Sequence, residues 1–309
     1  MVAATPMRTM KEFLAVRRIV VALFALLVPT LLAGVADARQ VARPLIVFMT
    51  DFGTIDDAVA ICKGVMLSIA PDARIVDLTH QVIPFSIVDG ARFLARTAPY
   101  YPRGAVFVAV VDPGVGTSRK SIVVKTKRGQ YFVLPDNGLV TPLADRDGIE
   151  GVREISNRAW LYGDSLSSTF HGRDVYSPVA AHLARGEDWT RVGPPVAAPA
   201  RLEIPRAIAT DDGVSGSVVG LDGPFGNLVS NIDAAAFRAQ GYAIGEPVRL
   251  RLAGEELKVP YVATFGDVPK GEALLFIDSR GLVSLAVNQG NFAQSHRIAP
   301  PTALLIYKR

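Results

Sequence analysis

The chain has 309 residues, 50% hydrophobic and 20% charged, with a formal net charge of +4. That composition excludes a disordered chain and suffices for one large or two medium domains with true cores. The positive balance is modest, and no run of lysine and arginine is long enough to mark a nucleic-acid surface.

Lys11, Arg17 and Arg18 precede an apolar run from Ile19 to Leu32, and "AGVADARQ" follows with Ala36 and Ala38 in A-x-A spacing. These are the charged, apolar and small-residue regions of a secretory signal peptide. They predict cleavage after Ala38 and a periplasmic or secreted protein. The run is short for a membrane span, and no later apolar stretch approaches membrane length.

"PLIVFMTDFG" (44–53) reads as a buried strand running into a loop. "IDDAVAICKGVMLSIA" (55–70) predicts a helix opening near Asp56, with acids in its first turn where the helix dipole favours them. Cys62, the single cysteine, lies on the apolar face of that helix and reads as buried and inert, which rules out an intrachain disulfide. "ARIVDLTH" (73–80) is a second strand, "SIVDGARFLARTAPYY" (86–101) a helix ending near Pro99, and "GAVFVAVVDPG" (104–114) a third strand. Strand–helix–strand alternation predicts parallel strands with right-handed crossovers. Ligands of such sheets bind beyond the carboxyl ends of the strands. Asp51, Asp77 with His80, and Asp112 all fall there.

"KSIVVKT" and "QYFVLPDNGLV" predict strands around a turn, and the Asn-Gly of "PDNGLV" suits a hairpin. "DVYSPVAAHLARG" (174–186) predicts a helix with Pro178 in its first turn. The proline-rich "VGPPVAAPARLEIP" reads as an interdomain linker. Beyond it, strand-like runs with glycine turns predict a small antiparallel β-barrel domain. The predicted organisation is a signal peptide over 1–38, an α/β N-terminal domain with a mainly parallel sheet over 39–195, a linker over 196–205 and a C-terminal antiparallel β-barrel over 206–309.

Several chemistries lack their spacing. No HxH, HExxH, paired-cysteine or G-x-S-x-G pattern occurs, and "DPGVGTSRK" lacks the G-K-[ST] ending of a phosphate loop. No metal site is expected. In "STFHGRDVYSP" (168–178), His171 sits on a loop before Gly172, while Asp174 reads as a helix cap. "GLDGPFGNLVSNI" (220–232) reads either as a plain turn or as a polar floor with an aromatic wall for a ligand. His182 and His296 read as ordinary helix and surface histidines. The residues alone point to an α/β enzyme with an Asp/Arg/His site.

Six motifs, in order and in register, carry a resemblance: "TDFGTIDDAVAICKG", "IVDLTH", "VVDPGVGTSRK", "PDNGLV", "STFHGRDVYSP" and "DGPFGNLVSNI". The chain from about residue 44 onward resembles the S-adenosyl-L-methionine (SAM) hydroxide adenosyltransferases, hydrolases related to the SAM-dependent fluorinases and chlorinases. The resemblance implies a trimer whose sites lie between the N-domain of one subunit and the C-domain of its neighbour. It implies Asp112, Arg119 and His171 as the water-activating set. It assigns Asp51 to the ribose hydroxyls and Asn227 to adenine. Asp222 and Ser279 fall to the methionine head, and Phe85 and Phe225 to apolar or stacking contacts. SAM is the substrate and no cofactor is expected. The alternatives are a SAM-dependent halogenase and a non-catalytic nucleoside-binding envelope protein. Against the halogenase, "KSIVVKTKRGQYFVLPDNG" runs through without the inserted loop of fluorinases, and a carboxylate beside the nucleophile suits water better than halide.

Overall fold

The computed structural model describes residues 44–309; the predicted signal peptide and its cleavage site lie outside the described residues. The N-terminal part is a three-layer α/β arrangement. Its six-stranded sheet has the order β2-β1-β3-β5-β4-β6. The strands are β1 (Leu45–Thr50), β2 (Arg74–Thr79), β3 (Val106–Val110), β4 (Ser121–Thr126), β5 (Tyr131–Pro135) and β6 (Ile149–Glu154). β1 pairs in parallel with β2 and β3, and β3 with β5, whereas β4 runs antiparallel to β5 and β6. "LIVFMT" and "VFVAV" are almost wholly buried, the continuous apolar run expected of strands covered on both faces.

Alternate residues of each strand feed opposite layers. Ile46 and Phe48 pack with Val59, Cys62 and Met66 of α1 (Ala58–Ile69) and with Val179–Ala181 of α4 (Ser177–Ala184). Val47 and Met49 pack with Ala91 and Leu94 of α2 (Ile87–Thr97) and Leu143 of α3 (Thr141–Asp147). Cys62 is fully buried, and burial pushes its thiol up to about 11.

Three local expectations are corrected. The acids of "IDDA" precede the first turn of α1 rather than occupying it. Asp57 is the N-cap residue, and Asp56 Oδ1 accepts the Ala58 N–H at 3.1 Å. "PDNGLV" is no hairpin; it turns β5 into α3. The Asn137 side chain donates to Val111 O at 2.9 Å and accepts from Leu139 N at 3.2 Å, so a tertiary bond overrides the local turn preference. Asp174 is not a cap. It lies within a π-helical turn, Gly172–Tyr176, fully buried, accepting from Ser167 N at 2.7 Å and from Arg173 Nε at 2.6 Å.

The proline-rich segment is strapped to the N-terminal domain, to β6 and to α3. Val196 N bonds to Val152 O and Leu202 N to Thr141 Oγ1, both at 2.9 Å. Beyond it, an all-antiparallel sheet has the order β11-β10-β14-β8-β9-β13-β12, with the short β7 (Ile208–Ala209) on β8. These strands are β8 (Gly213–Asp222), β9 (Asn227–Asp233), β10 (Pro247–Leu252), β11 (Glu255–Pro260), β12 (Ala273–Ile277), β13 (Leu282–Val287) and β14 (Thr302–Tyr307). "PVRLRL" of β10 alternates exposed and buried, so one face lines the core. Val262 N bonds to Leu275 O at 2.9 Å, joining the chain just after β11 to β12 and nearly closing the barrel. The α/β fold with a mainly parallel sheet and the C-terminal barrel are as expected from the sequence. Among the described residues, no helix is long and apolar enough to cross a membrane.

Candidate active site

β1 leads through α1 to β2 on one side of it, and the next crossover lands β3 on its other side. The gap between the carboxyl ends of β1 and β3 is therefore a topological switch point. Asp51 follows β1 there, and Asp112 follows β3 by two residues. Both line a cleft of about 490 Å³, with Phe85, Thr169, Phe170 and His171 around them.

The Asp51 loop is fixed from behind. Thr50 Oγ1 lies 2.9 Å from His80 Nδ1 and accepts the Phe52 N–H at 3.1 Å, while Gly53 N bonds to His80 O at 2.7 Å. His80 Nε2 lies 3.2 Å from Asp77 Oδ1, close enough for an ion pair but off the angle of a hydrogen bond. Burial holds the imidazole below its usual range despite Asp77, so it is neutral near pH 7. Asp51 Oδ2 accepts the Phe85 N–H at 2.9 Å. Phe85 adopts a left-handed φ of 66° and leaves its ring 72% exposed on the cleft rim.

Asp112 is reached by the turn that follows it. Val115 N bonds to Asp112 O at 3.2 Å, Thr117 Oγ1 donates to Gly114 O at 2.7 Å, and Arg119 N bonds to Thr117 Oγ1 at 3.3 Å. The chain thereby doubles back. Arg119 Nη2 donates to Asp112 Oδ2 at 2.5 Å, with the two side chains only 12% and 4% exposed. Gly116 has a φ of 76°, and a Cβ there would overlap the Ser168 carbonyl oxygen. That close approach seats the Asp112–Arg119 turn against the loop leading to His171. Burial, and then the Arg119 charge, hold the His171 imidazole below its usual range. Asp112 Oδ1, Arg119 Nε and His171 Nδ1 are buried and have no hydrogen-bond partner among the described residues.

The remaining expected residues lie on the barrel. Phe225 and Asn227 line a second cleft of about 710 Å³ with Phe265, Asn288, Gln289 and Asn291. Asn227 is buried, and Phe225 is 66% exposed. Asp222 is opposite Asn227 in the β8–β9 register and forms a two-pronged pair with Arg280 at 2.8 and 2.7 Å. Arg280 also pairs with Asp278, and these bonds outweigh burial to strengthen its charge. Ser279 is exposed in the turn between them. Within one chain, the structure thus brings Asp51, Phe85, Asp112, Arg119 and His171 together. It gathers Phe225 and Asn227 in a separate cleft, and neither cleft is lined by Asp222 or Ser279. Among the described residues, no group of three or more His, Cys, Asp or Glu is placed to hold a metal ion.

Residues 46–193 match the family model for the SAM hydroxide adenosyltransferase N-terminal domain, and residues 216–304 match that for the C-terminal domain. The chain belongs to the SAM hydroxide adenosyltransferase family. It is 41% identical over 268 residues to the (R)-S-adenosyl-L-methionine hydrolase of Salinispora arenicola (strain CNS-205), covering 86% of this chain and 98% of that protein. It is 32% identical over 293 residues to a fluorinase of Actinoplanes sp. (strain N902-109), covering 86% and 98%. A crystal structure of an uncharacterized conserved protein from Thermotoga maritima superposes with a TM-score of 0.79 at 40% identity, covering 85% of this chain and 99% of that one.

In this adenosyltransferase, sequence reasoning missed two residues at the candidate sites. Arg280 faces Asp222, and a carboxylate beside a guanidinium offers a partner for each end of a zwitterion. Its signal was its place next to Ser279 in "DSRG". Tyr176 touches Asp112 but sits in a helical apolar pattern that reads as core.

Proposed function

We propose that the protein hydrolyses SAM to adenosine and L-methionine, with water attacking the ribose 5′-carbon and the sulfonium leaving as methionine. One observation carries the reading. Asp112 and His171 line the switch-point cleft and Arg119 pairs with Asp112, each with a buried polar atom that has no partner among the described residues. A carboxylate acceptor fixed by a guanidinium and a neutral imidazole beside it are what a water needs to be held and deprotonated. Asp112 Oδ1 takes the proton, His171 orients the water, and Arg119 holds the carboxylate in place through Oδ2. The leaving group is already good, so position contributes most of the rate. The names of the 36–41% identical relatives support the reaction and specify the R sulfonium. No step requires a cofactor.

Asp51 holds the ribose diol through its two acceptor oxygens, Phe85 and Phe225 flank the nucleoside, and Asn227 reads adenine. Asp222 and Ser279 hold the amino-acid head. The nucleoside groups lie in two separate clefts of one chain, which supports sites formed between subunits; the homotrimer itself rests on the family resemblance. We place the mature enzyme in the periplasm or outside the cell, on the strength of the N-terminal sequence pattern alone.

The test is incubation of the mature protein with (R)-SAM in ¹⁸O-labelled water. Mass spectrometry should find one labelled oxygen in adenosine and none in methionine. Label in methionine, or intact SAM, would overturn the proposal.

A further inference from the structure

Tyr176 ends the π-helical turn, is 0% exposed, and has no part in the mechanism above. Ser121 Oγ donates to its phenol oxygen at 3.0 Å, and the phenol donates to Asp112 Oδ2 at 3.2 Å. Packing alone would be met by a phenylalanine, because a buried hydroxyl costs free energy unless it is bonded. Burial also raises the phenol's pKa far above its usual range, so the group stays a donor.

Both donors to Asp112, Arg119 and Tyr176, fall on the same oxygen. Oδ1 is left buried and without a partner among the described residues. The terminal torsion of an aspartate is soft. Two donors anchored on separate elements remove that freedom and fix the direction of Oδ1.

The backbone explains how Tyr176 reaches this point. Ser177 N bonds to Gly172 O, an i→i+5 bond. In an α-helix of about 3.6 residues per turn, residues five apart stand roughly 140° apart around the axis. The wider π turn returns residues five apart to nearly the same side. His171 and Tyr176 are five apart; Tyr176 bonds to Asp112, and His171 lines the same cleft as Asp112.

We propose that Tyr176 is a positioning residue that, with Arg119, holds Asp112 by Oδ2 and leaves Oδ1 as the oxygen that takes the proton of the reacting water. The π turn delivers Tyr176 to Asp112. This inference rests on the hydrolase reading for its kinetic consequence but not for the hydrogen bond itself.

The test compares Tyr176→Phe with Ser121→Ala in the full chain. Tyr176→Phe keeps the ring and removes the donor. Its kcat for SAM should fall about tenfold with KM changed less than about twofold. Ser121→Ala removes the bond behind Tyr176 but leaves the bond to Asp112, so kcat should stay within about twofold. A Tyr176→Phe enzyme with unchanged kcat, or equal losses in both variants, overturns the proposal. An activity-independent arm uses ¹³C-aspartate labelling, with the Asp112 carboxyl signal assigned by its loss in Asp112→Asn. That signal should shift in Tyr176→Phe and stay in place in Ser121→Ala; an unmoved signal in Tyr176→Phe also overturns it. If the wild-type protein leaves SAM intact, the hydrolase reading fails by itself, and the carboxyl signal still decides the role of Tyr176.

Discussion

Asp112→Asn separates two things that Asp112 does. The amide keeps the size of the carboxylate but carries no charge and accepts no proton. Loss of a positioned general base costs roughly 10²–10⁴ in rate, so turnover of SAM should fall by at least about a hundredfold. Affinity should change little, because the groups assigned to the nucleoside are elsewhere. Stability should fall too, for a different reason. Asp112 is 4% exposed and Arg119 12%, so the variant leaves a guanidinium buried without its counter-ion. Removing one partner of a buried pair costs about 3–5 kcal/mol. Arg119 also bonds to Lys120 O and keeps that acceptor, which puts the cost near 3 kcal/mol. For a chain of this size that lowers Tm by roughly 5 °C. The double variant Asp112→Asn/Arg119→Met removes the stranded charge. It should regain much of the lost Tm and none of the activity. The assays are thermal melts and adenosine release. Wild-type turnover by Asp112→Asn refutes the catalytic role, and a double variant melting no higher than the single one refutes the buried-charge account.

Asp51→Ala should weaken SAM binding by about 1.5–3 kcal/mol for each charge-assisted bond lost, with calorimetry as the measure; unchanged affinity would remove Asp51 from the ribose site. Gly116→Ala places a methyl group against the Ser168 carbonyl at a φ of 76° and should reduce Tm and turnover together; a variant normal in both would show that the two loops tolerate separation. If sites are shared as proposed, mixed oligomers of Asp112→Asn and Asn227→Ala subunits should regain part of the activity that each variant alone lacks, because some sites then hold both native residues; no recovery on mixing argues for sites within single chains. Acidification should destabilise the fold, because His80 and His171 are both held below the usual histidine value of 6.5. The unfolded chain takes up protons first as pH drops below 6.5, so stability is lost from there down through the folded values. Melting curves from pH 7 to 5 would show it, and the slope should shrink in His80→Gln.

Much of the fold was legible because it is written in local pattern. Two strands buried on both faces read as unbroken apolar runs, and turn residues separate them from amphipathic helices. The position of Asp51 and Asp112 followed from the rule for strand ends without any family knowledge. What stayed hidden depends on contacts distant in sequence. α3 was invisible because Asn137 commits its side chain to Val111 O, 26 residues away. β6 is spelled "IEGVRE", with a glycine and two glutamates that disfavour strands, and the sheet holds it regardless. The π turn was invisible because "DVYSPVAAHL" fits an α-helix. Apart from its place beside Ser279, nothing in the local pattern singles out Arg280, and only the fold shows it locked between Asp222 and Asp278.

The way hydrogen bonds are distributed on Asp112 bears on the choice between water and halide. An ion pair has little net charge, so the mere presence of Asp112 and Arg119 does not decide it. Orientation does. Arg119 and Tyr176 both donate to Oδ2, which spends the cationic donor on the carboxylate and presents Oδ1 as a bare acceptor. A halide at that oxygen would meet a like charge, at a cost of roughly 4 kcal/mol for a 4 Å separation at an effective dielectric of 20, only part of which the more distant Arg119 charge offsets. A water there donates a hydrogen to the same oxygen and gains instead. An anion site would need the opposite arrangement, with the guanidinium turned toward the cleft and the carboxylate behind it. On the proposed reading, the Pro-Gly turn that folds Arg119 back onto Oδ2 is therefore what commits this site to hydrolysis.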